Sequence, residues 1–362
     1  MKAIAMLAVC GGNPIDYMGM NIDQPFPFMA AMPTTAGTGS EATQFTIITD
    51  RATQVKMLLK GPSLIPDLAV IDPQFTMTVP PKITAATGID ALTHAIEAYT
   101  SKKAQPLSDT FALSACRRIF DNLRTAWEQG DHEDARIQMS LAALEAGIAF
   151  NNSSVTLVHG MSRPIGALFH VPHGISNAML LNICLQYAAE GARERFGAIA
   201  VACGFAGAEE TRDTACEKLL SQVEMLLHDI EIPTLEEYGI DRDCFMESVP
   251  KMLPMQWPQE ALPIPEGIWM QMPWRGFTES SGNKEETMQY ITFDESKPLD
   301  LILLGRIAID FNPLDYYKTL AESETFKKYV GGSPANIAVG LSRLGKKCGF
   351  FAGCQMTGLE NL

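Results

Sequence analysis

Gly88-Ile-Asp-Ala-Leu-Thr-His-Ala-Ile-Glu-Ala-Tyr99 decides how this chain is read. Asp90 and His94 stand four residues apart, and side chains at that spacing share one face of a helix. Pro80 and Pro81 can open the helix, because proline fits a first turn. From Ala85 to Tyr99 the residues are mostly small and apolar, the composition of a buried helix. Asp90 and His94 are therefore expected to face into protein. A buried carboxylate needs a partner, and a cation is a good one.

A second stretch, Leu157-Val-His-Gly-Met-Ser-Arg-Pro-Ile-Gly-Ala-Leu-Phe-His-Val-Pro-His-Gly174, adds His159 and His173. Pro164, Gly166 and Pro172 separate them, so one straight helix cannot carry both. The expectation is a helix, a break, and His173 at a helix end or in a loop. One carboxylate and three imidazoles suit a borderline divalent ion, Fe²⁺ or Zn²⁺. The bland reading stands beside this one. An Asp-x-x-x-His pair is more often a core hydrogen bond than a metal site, and Pro172-His-Gly174 is also the composition of a turn. His132 and His170 read as structural or solvated.

Composition limits the partners. The 362 residues have room for two or three domains, and the formal net charge is −14. That charge argues against nucleic acid and anionic membranes. The longest apolar stretches, such as Leu299 to Leu304, are far too short to span a bilayer. Eight cysteines are scattered without a C-x-x-C pair, which points to a reducing cytoplasm. Asp109–Gln129, Arg136–Phe150, Ala188–Cys203 and Asp213–Asp229 read as helices, with Gly204 ending one of them. Phe45–Thr49 and Leu68–Ile71 read as strands.

Longer blocks carry a resemblance. Pro33-Thr-Thr-Ala-Gly-Thr-Gly-Ser-Glu41, Leu64-Ile-Pro-Asp-Leu-Ala-Val-Ile-Asp-Pro73, Ala85 to Tyr99 and Pro172-His-Gly-Ile-Ser-Asn-Ala-Met-Leu-Leu181 resemble the iron-containing alcohol dehydrogenases. The resemblance runs from residue 1 to about residue 250. It implies a dehydroquinate-synthase-like fold, with metal ligands at Asp90, His94, His159 and His173. It also implies hydride transfer between a small primary alcohol or aldehyde and NAD or NADP. One position departs from the family. Arg163 stands where most members have a second histidine, thought to help relay the alcohol proton. Arginine stays protonated and cannot do that work.

The nicotinamide side is implied only in part. The family's glycine turn precedes a helix much like Lys2–Ala8, and that turn has no counterpart in this sequence. The nucleotide domain is thus expected to lack its N-terminal part, with activity impaired. Cys10-Gly-Gly-Asn-Pro-Ile-Asp16 superficially resembles the turn, but no helix pattern follows, and an ordinary loop is expected. The remaining cofactor contacts that the resemblance implies are Thr34, Thr35, Gly37, Thr38 and Lys56.

Beyond Leu253 the pattern changes. Prolines and tryptophans (Trp257-Pro258, Trp269, Pro273-Trp274) suit neither a helix nor a strand, and a frame disruption or junction is expected there. Then Leu299-Asp-Leu-Ile-Leu-Leu-Gly305, Arg306 to Asp310, Val330-Gly-Gly-Ser-Pro334 and Lys347-Cys-Gly-Phe-Phe-Ala-Gly353 resemble the N-terminal part of ribokinase-like sugar kinases. Among these the match is to 5-dehydro-2-deoxygluconokinase. That resemblance implies sugar contacts at Asp310, Gly331, Gly332 and Asn336. It supplies no catalytic aspartate and no nucleotide loop, so no kinase activity is expected.

The fold class expected is α/β plus all-α. Residues 1–78 form a partial Rossmann-type nucleotide domain and 79–252 a helical metal-binding domain. Residues 253–289 form an irregular junction, and 290–362 a short β-α-β fragment of a ribokinase-like fold. The favoured function is a metal-dependent alcohol dehydrogenase homologue. A catalytically silent metal-binding or interaction protein competes with it, as does a dehydrogenase–sugar kinase fusion. Homo-oligomerisation is left open.

Overall fold

The helix that holds Asp90 and His94, α2 (Pro81–Thr100), starts on Pro81 and has no exposed face past its first two turns. Every residue from Gly88 to Tyr99 is buried. A helix buried all round belongs in the middle of a fold, and the later helices share one core with it. They are α3 (Pro106–Glu128), α4 (Glu133–Asn152), α5 (Leu157–Leu168), α6 (His173–Ala202), α7 (Arg212–Asp229) and α8 (Arg242–Met252). The computed structural model describes residues 1–50 and 56–252. Further on it describes only the backbone of strands at 301–305, 308–313, 326–331 and 348–352.

Two separate cores hold the first part of the chain. The large one joins the helices through residues such as Ile89, Leu92, Ile96, Ile119, Leu123 and Phe196, none of which is exposed. Each such burial stabilises by about 1.5–3 kcal/mol. Glycine sets the closest helix approach, since a Cβ on Gly88 would lie 2.4 Å from Leu123 Cδ1. The small core, Met6, Ile22, Leu59 and Leu64, belongs to the N-terminal α/β region. There α1 (Lys2–Cys10) packs beside two short sheets. In one, β1 (Ala30–Ala31) runs parallel to β4 (Leu68–Ala69). In the other, β2 (Phe45–Thr49) runs antiparallel to β3 (Lys56–Lys60).

The expected elements are found with two differences. Ala188–Cys203 is the second half of α6, which continues from His173 across a non-helical Ala192 (φ −136°). Pro164 does not break a helix but lies inside α5. The break falls later, at residues 169–172, where His170 has φ 55° and is exposed. Gly11 and Gly12 both adopt left-handed φ just after α1, followed by a one-turn helix at Pro14–Tyr17, so this segment is a loop as expected.

The chain divides into two units, Met1–Lys284 and Glu285–Leu362. In the second, β5 (Leu301–Gly305) runs parallel to β8 (Cys348–Ala352). β6 (Ala308–Pro313) runs antiparallel to β7 (Phe326–Gly331). The helix expected between the strands, and the junction expected at 253–289, lie outside the described residues. No helix among the described residues is long and apolar enough to cross a membrane.

Candidate metal centre

Asp90, His94, His159 and His173 come together. Each offers one ligand atom, and these atoms all lie within 4.8 Å of one another. A shared ion at about 2.0–2.2 Å from each donor keeps any two donors within about 4.4 Å, so only small side-chain adjustments are needed. Asp90 Oδ1 is 3.7 Å from His159 Nε2 and 3.6 Å from His173 Nε2. α2 supplies Asp90 and His94, α5 supplies His159, and His173 is the first residue of α6. Gly174 lets α6 start hard against α2, since a Cβ there would lie 2.8 Å from the Ala86 carbonyl oxygen.

The electrostatics suit a cation. Burial alone would push the Asp90 carboxyl up, but His94, His173 and His159, with a hydrogen bond from Asn177, hold its pKa below the usual value. Burial lowers His94, against the pull of Asp90. Burial and the neighbouring imidazoles take His159 well below the ordinary histidine range. His94 and His159 are thus neutral at pH 7 and keep lone pairs for a ligand. His94 Nδ1 is buried without an aligned hydrogen bond, although the Gly37 backbone lies close enough to favour its protonated form.

Three residues that sequence reading left out complete the arrangement. Glu97 is buried and contacts His159 Nδ1 at 2.6 Å. Asn177 Nδ2 donates to Asp90 Oδ1 (2.6 Å) and lies 3.1 Å from His159 Nε2 and 3.3 Å from His173 Nε2. Phe150 of α4 stacks on His94 with ring centroids 4.3 Å apart, and His94 stacks on His159 at 4.5 Å. Phe45 of β2 extends the stack at 6.3 Å from Phe150, tying the N-terminal region to the centre. The signal for two of them was spacing. Glu97 continues the Asp90–His94 face at i+7, and Asn177 shares the face of His173 at i+4. Phe150 leaves no such trace.

The predicted cofactor residues are not among these donors, although Gly37 borders the centre. Thr34 and Thr38 are exposed, Thr35 is half-buried, and Gly37 is buried. Gly37 packs on α2, where a Cβ would come within 2.7 Å of Thr87 Cβ. Lys56 is paired with Thr49 in the β2–β3 ladder, and its side chain lies outside the described residues. Arg163 follows His159 by one turn. Burial lowers its pKa to about 10, with Glu97 opposing, so it keeps its proton at neutral pH. In the second unit Asp310 is paired with Tyr329 and Gly331 with Ala308, while Gly332 and Asn336 lie outside the described residues.

An α/β region joined to a helical bundle, with an Asp-His₃ cluster on three of its helices, is the architecture of a class of metal-containing alcohol dehydrogenases. The C-terminal model of the Fe-containing alcohol dehydrogenase family matches residues 84–260, and the iron-containing alcohol dehydrogenase model matches 1–73. NADPH-dependent butanol dehydrogenase of Clostridium saccharobutylicum is 40% identical over 266 residues, which are 67% of this chain and 68% of that protein. Choline dehydrogenase of Bacillus subtilis is 37% identical over 246 residues, 67% of this chain and 61% of that protein. The crystal structure of a 1,3-propanediol oxidoreductase matches with a TM-score of 0.70 at 35% identity, covering 75% of this chain and 73% of that one. The chain belongs to the iron-containing alcohol dehydrogenase family, and its fold is the dehydroquinate-synthase-like one expected. It spans about three-fifths of the length of the choline dehydrogenase and about two-thirds of that of the butanol dehydrogenase. The pfkB carbohydrate kinase model matches residues 299–354. That likeness lies in the C-terminal part of the chain, and the match does not bear out its placement at the N-terminal part of a kinase.

Proposed function

We propose that this chain is a metal-dependent dehydrogenase that moves hydride between a small primary alcohol or aldehyde and NAD or NADP. The observation that carries this reading is the convergence of Asp90, His94, His159 and His173. These four would hold a divalent ion, Fe²⁺ in keeping with the family name or Zn²⁺, which the same donors accept. When bound, such an ion supplies Lewis acidity, lowering the pKa of an oxygen it holds or polarising a carbonyl.

The chain's own residues set the conditions. Asp90 is anionic, and His94 and His159 are neutral, so the donor set carries little charge of its own. Asp90, His94 and His159 are shut away from water, whereas the His173 side chain is 38% exposed. We therefore take the His173 side as the substrate's approach. Thr34, Thr35, Gly37, Thr38 and Lys56 are assigned to the nicotinamide cofactor. Arg163 holds its proton at pH 7, so the proton released from the alcohol leaves by another route.

The organisation that supports this is a nucleotide region at 1–78, a metal-binding region at 79–252, a junction at 253–289 and a kinase-like segment at 290–362. The last is assigned no phosphoryl transfer. A reducing cytoplasm fits the free cysteines among the described residues, and self-association remains part of the proposal.

The test uses the full chain loaded with Fe²⁺ or Zn²⁺. The expected outcome is one bound ion per chain and alcohol-dependent reduction of NAD⁺ or NADP⁺, both lost in Asp90→Asn. A bound ion without nicotinamide reduction across short primary alcohols and diols removes the dehydrogenase and leaves a metal-binding protein. No bound ion removes both.

A further inference from the structure

Glu97 lies two helical turns beyond Asp90 and is 1% exposed. Its carboxylate faces four polar atoms on α5 and the residue before it. The Thr156 N–H donates to Oε2 (2.9 Å), the Val158 N–H to Oε1 (2.6 Å), and the Thr156 hydroxyl to Oε1 (3.0 Å). The fourth atom is His159 Nδ1, 2.6 Å from Oε2. Backbone N–H groups can only donate, and an ionised carboxylate offers about four acceptor positions. Three are taken by the start of α5, and the remaining one meets the imidazole. An acceptor opposite Nδ1 puts the ring hydrogen there and leaves the lone pair on Nε2. Nε2 is the atom 3.7 Å from Asp90 Oδ1.

We infer that Glu97 is a positioning residue for the metal centre. It fixes His159 in the Nδ1–H tautomer and anchors the first turn of α5 onto α2, so that ligands from two helices are held to one point. Carboxylates that orient ligating histidines in this way commonly change metal affinity 10–100-fold when replaced. The inference rests on the metal reading above. Glutamine at this position keeps the size but turns one acceptor into a donor. Facing His159, that amide favours the Nε2–H tautomer. Facing Thr156 and Val158, it opposes their donors.

The experiment titrates the full chain with Co²⁺ against a competing chelator and records the visible ligand-field bands. Glu97→Gln should bind Co²⁺ about 10–100-fold more weakly with altered bands. Thr156→Val, which removes one contact to Glu97 but keeps the carboxylate–imidazole pair, should stay within a few-fold of wild type with the same bands. Equal affinity and unchanged bands in a folded Glu97→Gln overturn the inference. So does a matching loss in Thr156→Val, which would mean that Glu97 only anchors the helix. The ¹⁵N shifts of His159 in metal-free wild type, assigned by comparison with His159→Gln, decide the matter if Glu97→Gln does not fold. A protonated Nδ1 with bare Nε2 upholds the inference, and the reverse overturns it. If wild type takes up no Co²⁺, the metal reading fails, and the same shifts still report whether Glu97 sets the tautomer.

Discussion

The ligand cluster and the loop Thr34–Thr38 touch each other, yet they are built by different rules. Gly37 packs on Thr87, one turn before Asp90 on α2. On one side of that contact every ligand sits on or at the end of a helix and is held by neighbours, as His94 is by Phe150 and His159 by Glu97. On the other side Thr34 and Thr38 are exposed, while Ala36 and Gly37 are held by packing against the helical core. The metal centre is thus a property of the core. The cofactor loop contributes backbone shape and exposed hydroxyls, of which Thr38 Oγ1 accepts from the Ser40 N–H (3.3 Å).

The sharpest way to break this comparison is to remove a ligand. Asp90→Asn or His159→Ala should lower metal affinity by more than about 100-fold, since even outer contacts are worth 10–100-fold. Thr34→Ala with Thr38→Ala should leave it unchanged, by the same chelator competition. A loop variant that loses metal would merge the two regions. The next effect is on stability. Gly39 has φ 57°, and a Cβ on it would lie 2.6 Å from Gly147 Cα. Left-handed strain of roughly 1–2 kcal/mol and overpacking of about 1–3 kcal/mol predict that Gly39→Ala costs about 2–5 kcal/mol in urea unfolding. Gly147→Ala should also destabilise, although alanine is the better helix former, because its Cβ would lie 2.7 Å from the Gly39 carbonyl oxygen.

Phe150→Leu should cost about 1 kcal/mol beyond lost burial, the worth of an aromatic stack. Metal affinity should fall with it in the chelator assay if the stack orients His94. A pH effect is expected away from the centre. Lys2 Nζ donates to the Thr43 carbonyl and hydroxyl and the Phe45 carbonyl, and burial lowers its pKa from 10.5 to about 8. Between these values the unfolded chain binds more proton than the folded one, so stability should rise as pH climbs from 8 to 10.5. Lys2→Met should flatten that rise in thermal unfolding.

The helical part was legible because a metal ligand set on buried helices obeys helix periodicity. Asp90 with His94, and the interruption before His173, could be read from spacing and prolines alone. The position of the break within that stretch was not legible: α5 continues past Pro164, and the chain turns at His170. Phe150 could not be foreseen, because its contact with His94 depends on how α4 lies across α2, and pairwise packing between distant helices leaves no local pattern. The two-residue β1 was equally hidden, being too short for any alternation to show, whereas β4 falls within the strand read at Leu68–Ile71.

The bare Cα of Gly174 has a consequence for anyone who would transplant this centre. Ala86 lies so near that any side chain at 174 would have to displace the backbone of α2. Copying the four ligands into a foreign four-helix scaffold would therefore fail unless the clearances at Gly174 and Gly88 travelled with them. The transferable unit is a set of donors together with the gaps that let their helices close up.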